Sequence, residues 1–153
     1  MHFIKVHGLG NDFILLDGRR ETLDYNKLAV RLCHRQTGVG ADGLLILLES
    51  KTADIRMRII NADGSEAEMC GNGIRCFAKY SFERGVESKT EFSVETLAGV
   101  MRPKLTVKDG VVTGVTVDMG EPFLKCEEIP VAGTGTCIDR EIVINGETLH
   151  YTS

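Results

Sequence analysis

One segment restricts the fold of this chain more than any other. From Gly71 to about Arg84 the apolar residues Ile74, Phe77, Ala78 and Phe82 recur at helical spacing, and Gly85 stands where a helix would stop. Almost everything around it reads as strand. "FIKVH" (3–7) and "ILLD" (14–17) flank a polar, glycine-rich turn, "GLGND" (8–12). "LLILL" (44–48) suits a buried strand, and "IRMRIINADG" (55–64) alternates before an Asp-Gly turn. "EFSVET", "VMRPKLTV" and "VVTGVTVDM" follow as three more strand-like runs. "DYNKLAVRLCHRQTG" (24–38) reads as a second, short helix, with Asp24 or Asn26 to cap it and Gly38 to end it. The order predicts an α+β fold, a mixed and mainly antiparallel sheet wrapped around a central helix.

The pattern breaks around "DMGEPF" (118–123). "KCEEIPVAGTGTCID" is rich in turns, and "REIVINGETLHY" reads as a hairpin, since Asn-Gly between β-formers suits a type I′ turn. Residues 1–118 therefore read as one complete unit and 119–153 as the first strands of another. A chain of 153 residues has room for one ordinary domain and part of a second.

Charge and composition remove several functions. The net charge of −4, with no Lys/Arg run longer than a pair, argues against nucleic-acid binding. No apolar run approaches the length of a membrane span, and "MHFIKVHGLGNDF" lacks the basic and apolar regions of a signal peptide. The expectation is a soluble, cytoplasmic protein. Five cysteines without a secretion signal do not suggest a disulfide framework. Cys70 and Cys76 would lie roughly 9 Å apart along a helix, too far for a disulfide. The four histidines show no ligand spacing, so no metal site is expected.

Cys70 is the cysteine with chemistry in its surroundings. It stands where the central helix begins, and Gly71, Asn72 and Gly73 form the first turn. The first N–H groups of a helix lack internal partners and its dipole makes that end electropositive. A carboxylate can bind there through backbone alone if side chains stay clear, and glycines keep them clear. The same field favours a thiolate: helix N-termini lower a cysteine from about 8.5 into the ~3.5–7.5 range. A carboxylate cradle beside a proton-accepting sulfur is what proton removal α to a carboxylate requires. The bland alternative is a glycine-rich helix start with an inert thiol. Cys76, inside the helix beside Phe77, and Cys33, beside Leu32, read as small packing residues.

Four phrases in order, "HGLGNDF" (7–13), "GVGADGLL" (38–45), "NADGSEAEMCGNGIRC" (61–76) and "MGEP" (119–122), resemble the diaminopimelate epimerase family. The resemblance runs to about residue 122. It implies one lobe of a two-lobed fold and a reaction without cofactor, in which L,L-diaminopimelate and its meso form interconvert at one α-carbon. One cysteine removes the proton as thiolate while a second, on the opposite face, returns one as thiol. By the family pattern Cys70 is one of that pair, Gly71 and Asn72 line the carboxylate cradle, and Asn11 and Asn61 bind the amino-acid ends of the substrate. For Asn11 and Asn61 the structural alternatives are turn residues.

The chain departs from the family in two places. Some members carry Gln where Gly43 stands. The second half of the family carries the other cysteine in a phrase like "ACGTG" after a Glu-Arg-Gly. Here "AGTGTC" (132–137) has Ala132 in place of the thiol, and "ERG" (83–85) ends the helix of residues 71–84. Neither Cys126 nor Cys137 fits the role. The resemblance thus implies a missing C-terminal lobe as partner, and an exposed face that would drive homodimerisation or aggregation. Rival readings are a proline racemase-like isomerase, a non-catalytic domain binding small carboxylates or a partner protein, and a redox or metal-thiol protein.

Overall fold

A computed structural model describes residues 2–153, and the chain divides into two units, Met1–Asp118 and Met119–Ser153. The first unit holds one seven-stranded sheet and two helices. Its strands are β1 (Phe3–Gly8), β2 (Asn11–Asp17), β3 (Gly43–Leu48), β4 (Ile55–Asn61), β5 (Glu66–Ala67), β6 (Val94–Thr96) and β7 (Gly99–Met101). Their order is β1-β2-β3-β4-β6-β7, with β5 beside β4. The β2–β3 and β4–β6 pairs are parallel and the other four are antiparallel, so the sheet is mixed and mainly antiparallel as expected.

Strand alternation divides the apolar side chains between two faces. Phe13, Leu15, Leu45, Leu47, Met57 and Ile59 join Ile74, Phe77 and Ala78 of helix α2 (Gly71–Glu83) in the larger core. Ile14, Leu16, Leu44, Ile46 and Ile60 join Tyr25, Ala29 and Cys33 of helix α1 (Tyr25–Cys33) on the other side. The hairpin β8 (Lys104–Lys108) and β9 (Val111–Thr116) adds Leu105 and Val112 to the larger core. It is tied to α2 where Lys79 Nζ donates to the Val112 carbonyl at 2.9 Å and the Val112 N–H donates to Glu83 Oε1 at 3.0 Å. Helix α2 is thus enclosed by the sheet and the hairpin.

Two local expectations need correction. Helix α1 ends at Cys33, not at Gly38. The chain turns back after His34 so that Val39 and Gly40 N–H groups bond the Leu32 carbonyl and Ala41 bonds that of Cys33. Gly38 serves that close return, because a Cβ there would sit 2.4 Å from the Arg31 carbonyl oxygen. The run "VMRPKLTV" is not one strand. It splits between β7 and β8 around Pro103, whose ring is fully buried and which has no N–H for a ladder.

The second unit holds the 3-10 turn Cys126–Glu128 and the hairpin β10 (Arg140–Ile144) and β11 (Glu147–Tyr151). Asn145 and Gly146 turn it with φ of 53° and 84°, the two positive values of a type I′ turn.

Candidate active site at the start of helix α2

Cys70 is the N-cap of α2, in extended conformation (φ −146°, ψ 115°), and its Sγ accepts the Gly73 N–H at 3.3 Å. The sulfur thus takes the place that a serine or aspartate oxygen usually fills. Glycine at 73 makes this fit possible: a Cβ there would lie 3.1 Å from Leu45 Cδ2 and 3.3 Å from Cys70 Cβ. Helix geometry leaves the N–H groups of Gly71 and Asn72 without partners four residues back, so they face the same half-buried space.

The β1–β2 turn brings in Asn11. Leu9 and Gly10 both have positive φ, 55° and 87°, and the tight hairpin sets Asn11 opposite Gly8. Gly8 in turn lies against the first turn of α2, where a Cβ would be 3.3 Å from Asn72 Cβ. In this space the Cys70 thiol donates to Asn11 Oδ1 at 3.5 Å and Asn72 Nδ2 donates to the same oxygen at 3.4 Å. Three residues that the sequence singled out, Cys70, Asn11 and Asn72, are therefore in direct contact, with Gly71 between two of them. Asn61 comes from another strand, next to Ala62, whose N–H bonds the Asp42 carbonyl at 3.1 Å. It closes β4, opposite Gly43, and its Nδ2 donates to Ser65 Oγ at 3.0 Å within the β4–β5 turn.

Sequence reasoning passed over the residues behind these amides. Asn11 Nδ2 donates to Asp42 Oδ2 at 2.9 Å, and the Asp12 N–H donates to that oxygen at 3.0 Å. Arg35 bridges Asp12 and Asp42 at 2.7 and 2.9 Å, and Lys5 pairs with Asp12 at 2.6 Å. The Asn11 amide, with the Asp12 N–H and the Arg35 guanidinium, holds the Asp42 carboxyl below the usual carboxylate range. Arg35 and Lys5 hold Asp12 lower still. On the other side, Arg75 Nη2 donates to Asn72 Oδ1. The one available signal was position: Asp42 and Arg75 lie inside two of the quoted phrases.

The remaining cysteines are packed. Burial pushes the Cys33 and Cys76 thiols up; Cys33 belongs to the α1 core and Cys76 packs against the α2 core. Cys126 and Cys137 are buried in the second unit, on segments joined where the Cys126 N–H bonds the Gly135 carbonyl. Among the described residues no three His, Cys, Asp or Glu side chains gather to hold a metal ion, and no helix is long and apolar enough to cross a membrane.

Solved structures share this fold. A hydroxyproline epimerase from Agrobacterium vitis superposes with a TM-score of 0.69 over 98% of this chain and 47% of its own, at 17% identity. A phenazine biosynthesis protein of the PhzF family from Bacillus anthracis gives 0.55 over 71% of this chain and 36% of its own, at 27% identity. The fold is that of one lobe of the diaminopimelate epimerase-like architecture. Sequence comparison is more specific. The family model for diaminopimelate epimerase matches residues 3–125. The diaminopimelate epimerase of Moorella thermoacetica is 56% identical over 99% of this chain and 56% of its own length. That of Pelotomaculum thermopropionicum is 60% identical over 87% of this chain and 49% of its own. The chain belongs to the diaminopimelate epimerase family, and it spans about half the length of the curated relatives it matches.

Proposed function

We propose that this chain carries the first half of a cofactor-independent diaminopimelate epimerase, with Cys70 as one of its two acid/base groups. Cys70, as thiolate, takes the α-proton of L,L-diaminopimelate and becomes a thiol. The electron pair of the broken C–H bond spreads into the α-carboxylate, which the N–H groups of Gly71 and Asn72 hold at the positive end of α2. A second cysteine, supplied by the missing C-terminal lobe, then gives its thiol proton to the opposite face and yields the meso form. In the reverse direction the two sulfurs exchange roles. Asn11 and Asn61 bind the amino-acid ends, as amides that hydrogen-bond a zwitterion without titrating. The reaction belongs to lysine and peptidoglycan precursor synthesis in the cytoplasm.

The observation that carries this reading is the thiol at the N-cap of α2, touching Asn11 at 3.5 Å, with Asn72 on the same oxygen. Likeness to a hydroxyproline epimerase at 17% identity supports the fold and not a proline substrate. The test is deuterium exchange at the α-carbon, followed by NMR with L,L-diaminopimelate in D2O. The chain alone is expected to leave the α-proton signal intact. Mixed with the C-terminal segment of the Moorella relative that this chain does not cover, it is expected to exchange that proton and form the meso isomer. A folded, associated pair that exchanges nothing would overturn the reading.

A further inference from the structure

One directed chain of hydrogen bonds runs through the two site amides. Arg75 Nη2 donates to Asn72 Oδ1, and Asn72 Nδ2 donates to Asn11 Oδ1 at 3.4 Å. Asn11 Nδ2 donates to Asp42 Oδ2 at 2.9 Å, and the other oxygen of Asp42 accepts from Arg35 Nη2 at 2.9 Å. The two ends of an asparagine amide have nearly the same shape, so partners decide which end faces the site. A guanidinium only donates and an ionised carboxylate only accepts. With Arg75 at one end and Asp42 at the other, a single orientation satisfies both amides. Reversing Asn11 would set its oxygen against a carboxylate and its NH2 against the NH2 of Asn72.

We propose that Asp42 and Arg75 are positioning residues that lock the Asn11 and Asn72 amides, so that the Cys70 sulfur always meets the carbonyl oxygen of Asn11. This rests on Cys70, Asn11 and Asn72 forming the site proposed above. The lock keeps an acceptor, not a donor, beside the sulfur before substrate arrives. The same oxygen is then presented to the ammonium group of an amino-acid substrate.

Alkylation tests the lock without turnover, so its failure is separable from failure of the exchange experiment. Cys70 is alkylated with iodoacetamide in the full chain and followed by mass spectrometry, with Cys76 as the internal reference. In Asp42→Asn the carboxylate no longer fixes the Asn11 amide and the long 3.4 Å bond from Asn72 is the restraint that remains, so a share of Asn11 turns its NH2 to the sulfur and stabilises the reacting thiolate. Cys70 is then expected to react several-fold faster, up to about tenfold, for one hydrogen bond gained. Cys76 stays at its original rate, and the Asn11 side-chain NH2 signals move in the 15N NMR spectrum. Arg75→Met is expected to produce a smaller rise that Arg75→Lys reverses, which keeps the test open if Asp42→Asn does not fold. A Cys70 rate that stays level or falls in the folded variants, or a rise shared equally by Cys76, overturns the proposal.

Discussion

Two glycine-rich phrases of similar composition, "CGNG" at 70–73 and "AGTG" at 132–135, meet different fates. In the first, a thirteen-residue helix stands behind the glycines, and its buried face rests on a sheet core that includes Leu45. The backbone N–H groups therefore point together at one space with a sulfur on its edge. In the second, Gly133 and Gly135 have φ of 127° and 77°, the segment bends through exposed turns, and Ala132 carries no reactive group. Gly135 N–H is spent on Glu127 Oε1 at 3.1 Å. Glycine lets the chain pack closely in both places, against Leu45 and Cys70 at Gly73 and against Arg140 at Gly133, but only a packed helix supplies aligned donors for an anion.

The largest expected effect separates the two phrases by chemistry. Cys70→Ser in the chain complemented with a C-terminal segment is expected to lower α-proton exchange by at least about 10²-fold, the scale of lost acid/base catalysis. Cys76→Ser is expected to retain exchange. Ala132→Cys, in the chain alone, should alkylate freely yet exchange nothing. Exchange by that variant would break the comparison, since an exposed turn would then do the work of a helix start.

Next comes the packing behind each phrase. Phe77 is fully buried under α2, and Phe77→Ala is expected to cost about 3–5 kcal/mol in urea unfolding. Val143 on β10 is 66% exposed, and Val143→Ala should change stability by less than about 0.5 kcal/mol. A large loss from Val143→Ala would show that the hairpin is covered in solution, by a second copy of the chain.

Gly43 gives a third, smaller contrast, because its glycine serves the sheet. A Cβ at this position would lie 2.7 Å from the Ile60 carbonyl oxygen, a backbone atom held in the β3–β4 ladder. Gly43→Ala is expected to cost about 1–3 kcal/mol. Any side chain at this position therefore requires a β3–β4 backbone set differently from this one. An unchanged midpoint in Gly43→Ala would show that the ladder yields easily.

Much of the scaffold was legible because its signals are local. Helical spacing and Gly85, with φ of 66°, marked α2; Asp24, accepting the Lys27 N–H, marked the start of α1; Asn145-Gly146 marked the last hairpin. Cys70 at the head of α2 followed from the same periodicity. What stayed hidden depends on distant partners. Gly38 looked like a helix stop, and only the folded chain shows it pressed against three carbonyl oxygens of the turn it follows. Asp42 acts on Asn11 from thirty-one residues away, and no local pattern distinguishes its carboxylate from a solvated one. Asn61 was chosen by resemblance, and its visible partner is the neighbouring Ser65.

The smallest effect concerns acid. Asp54 accepts the Ser93 hydroxyl at 2.6 Å and the Ser93 N–H at 2.7 Å, with Lys89 at 3.0 Å, and these hold its carboxyl well below the ordinary 3.8. A carboxyl lowered in the folded state adds stability that is complete above 3.8 and is lost as pH falls through the folded value. The contribution of Asp54 is therefore expected to be level near neutrality and to decline below 3.8. Asp54→Asn should be less stable than the parent at pH 7 and should lose less on acidification, read as urea midpoints at pH 7 and pH 3. In the second unit Glu127 is lowered by its own N–H and that of Gly135, but it lies open to solvent, where water competes for the same bonds. Glu127→Gln should accordingly leave the acid slope nearly unchanged. An equal change in slope from both variants would mean that the turn around "AGTG" is held as firmly as the sheet beside α2.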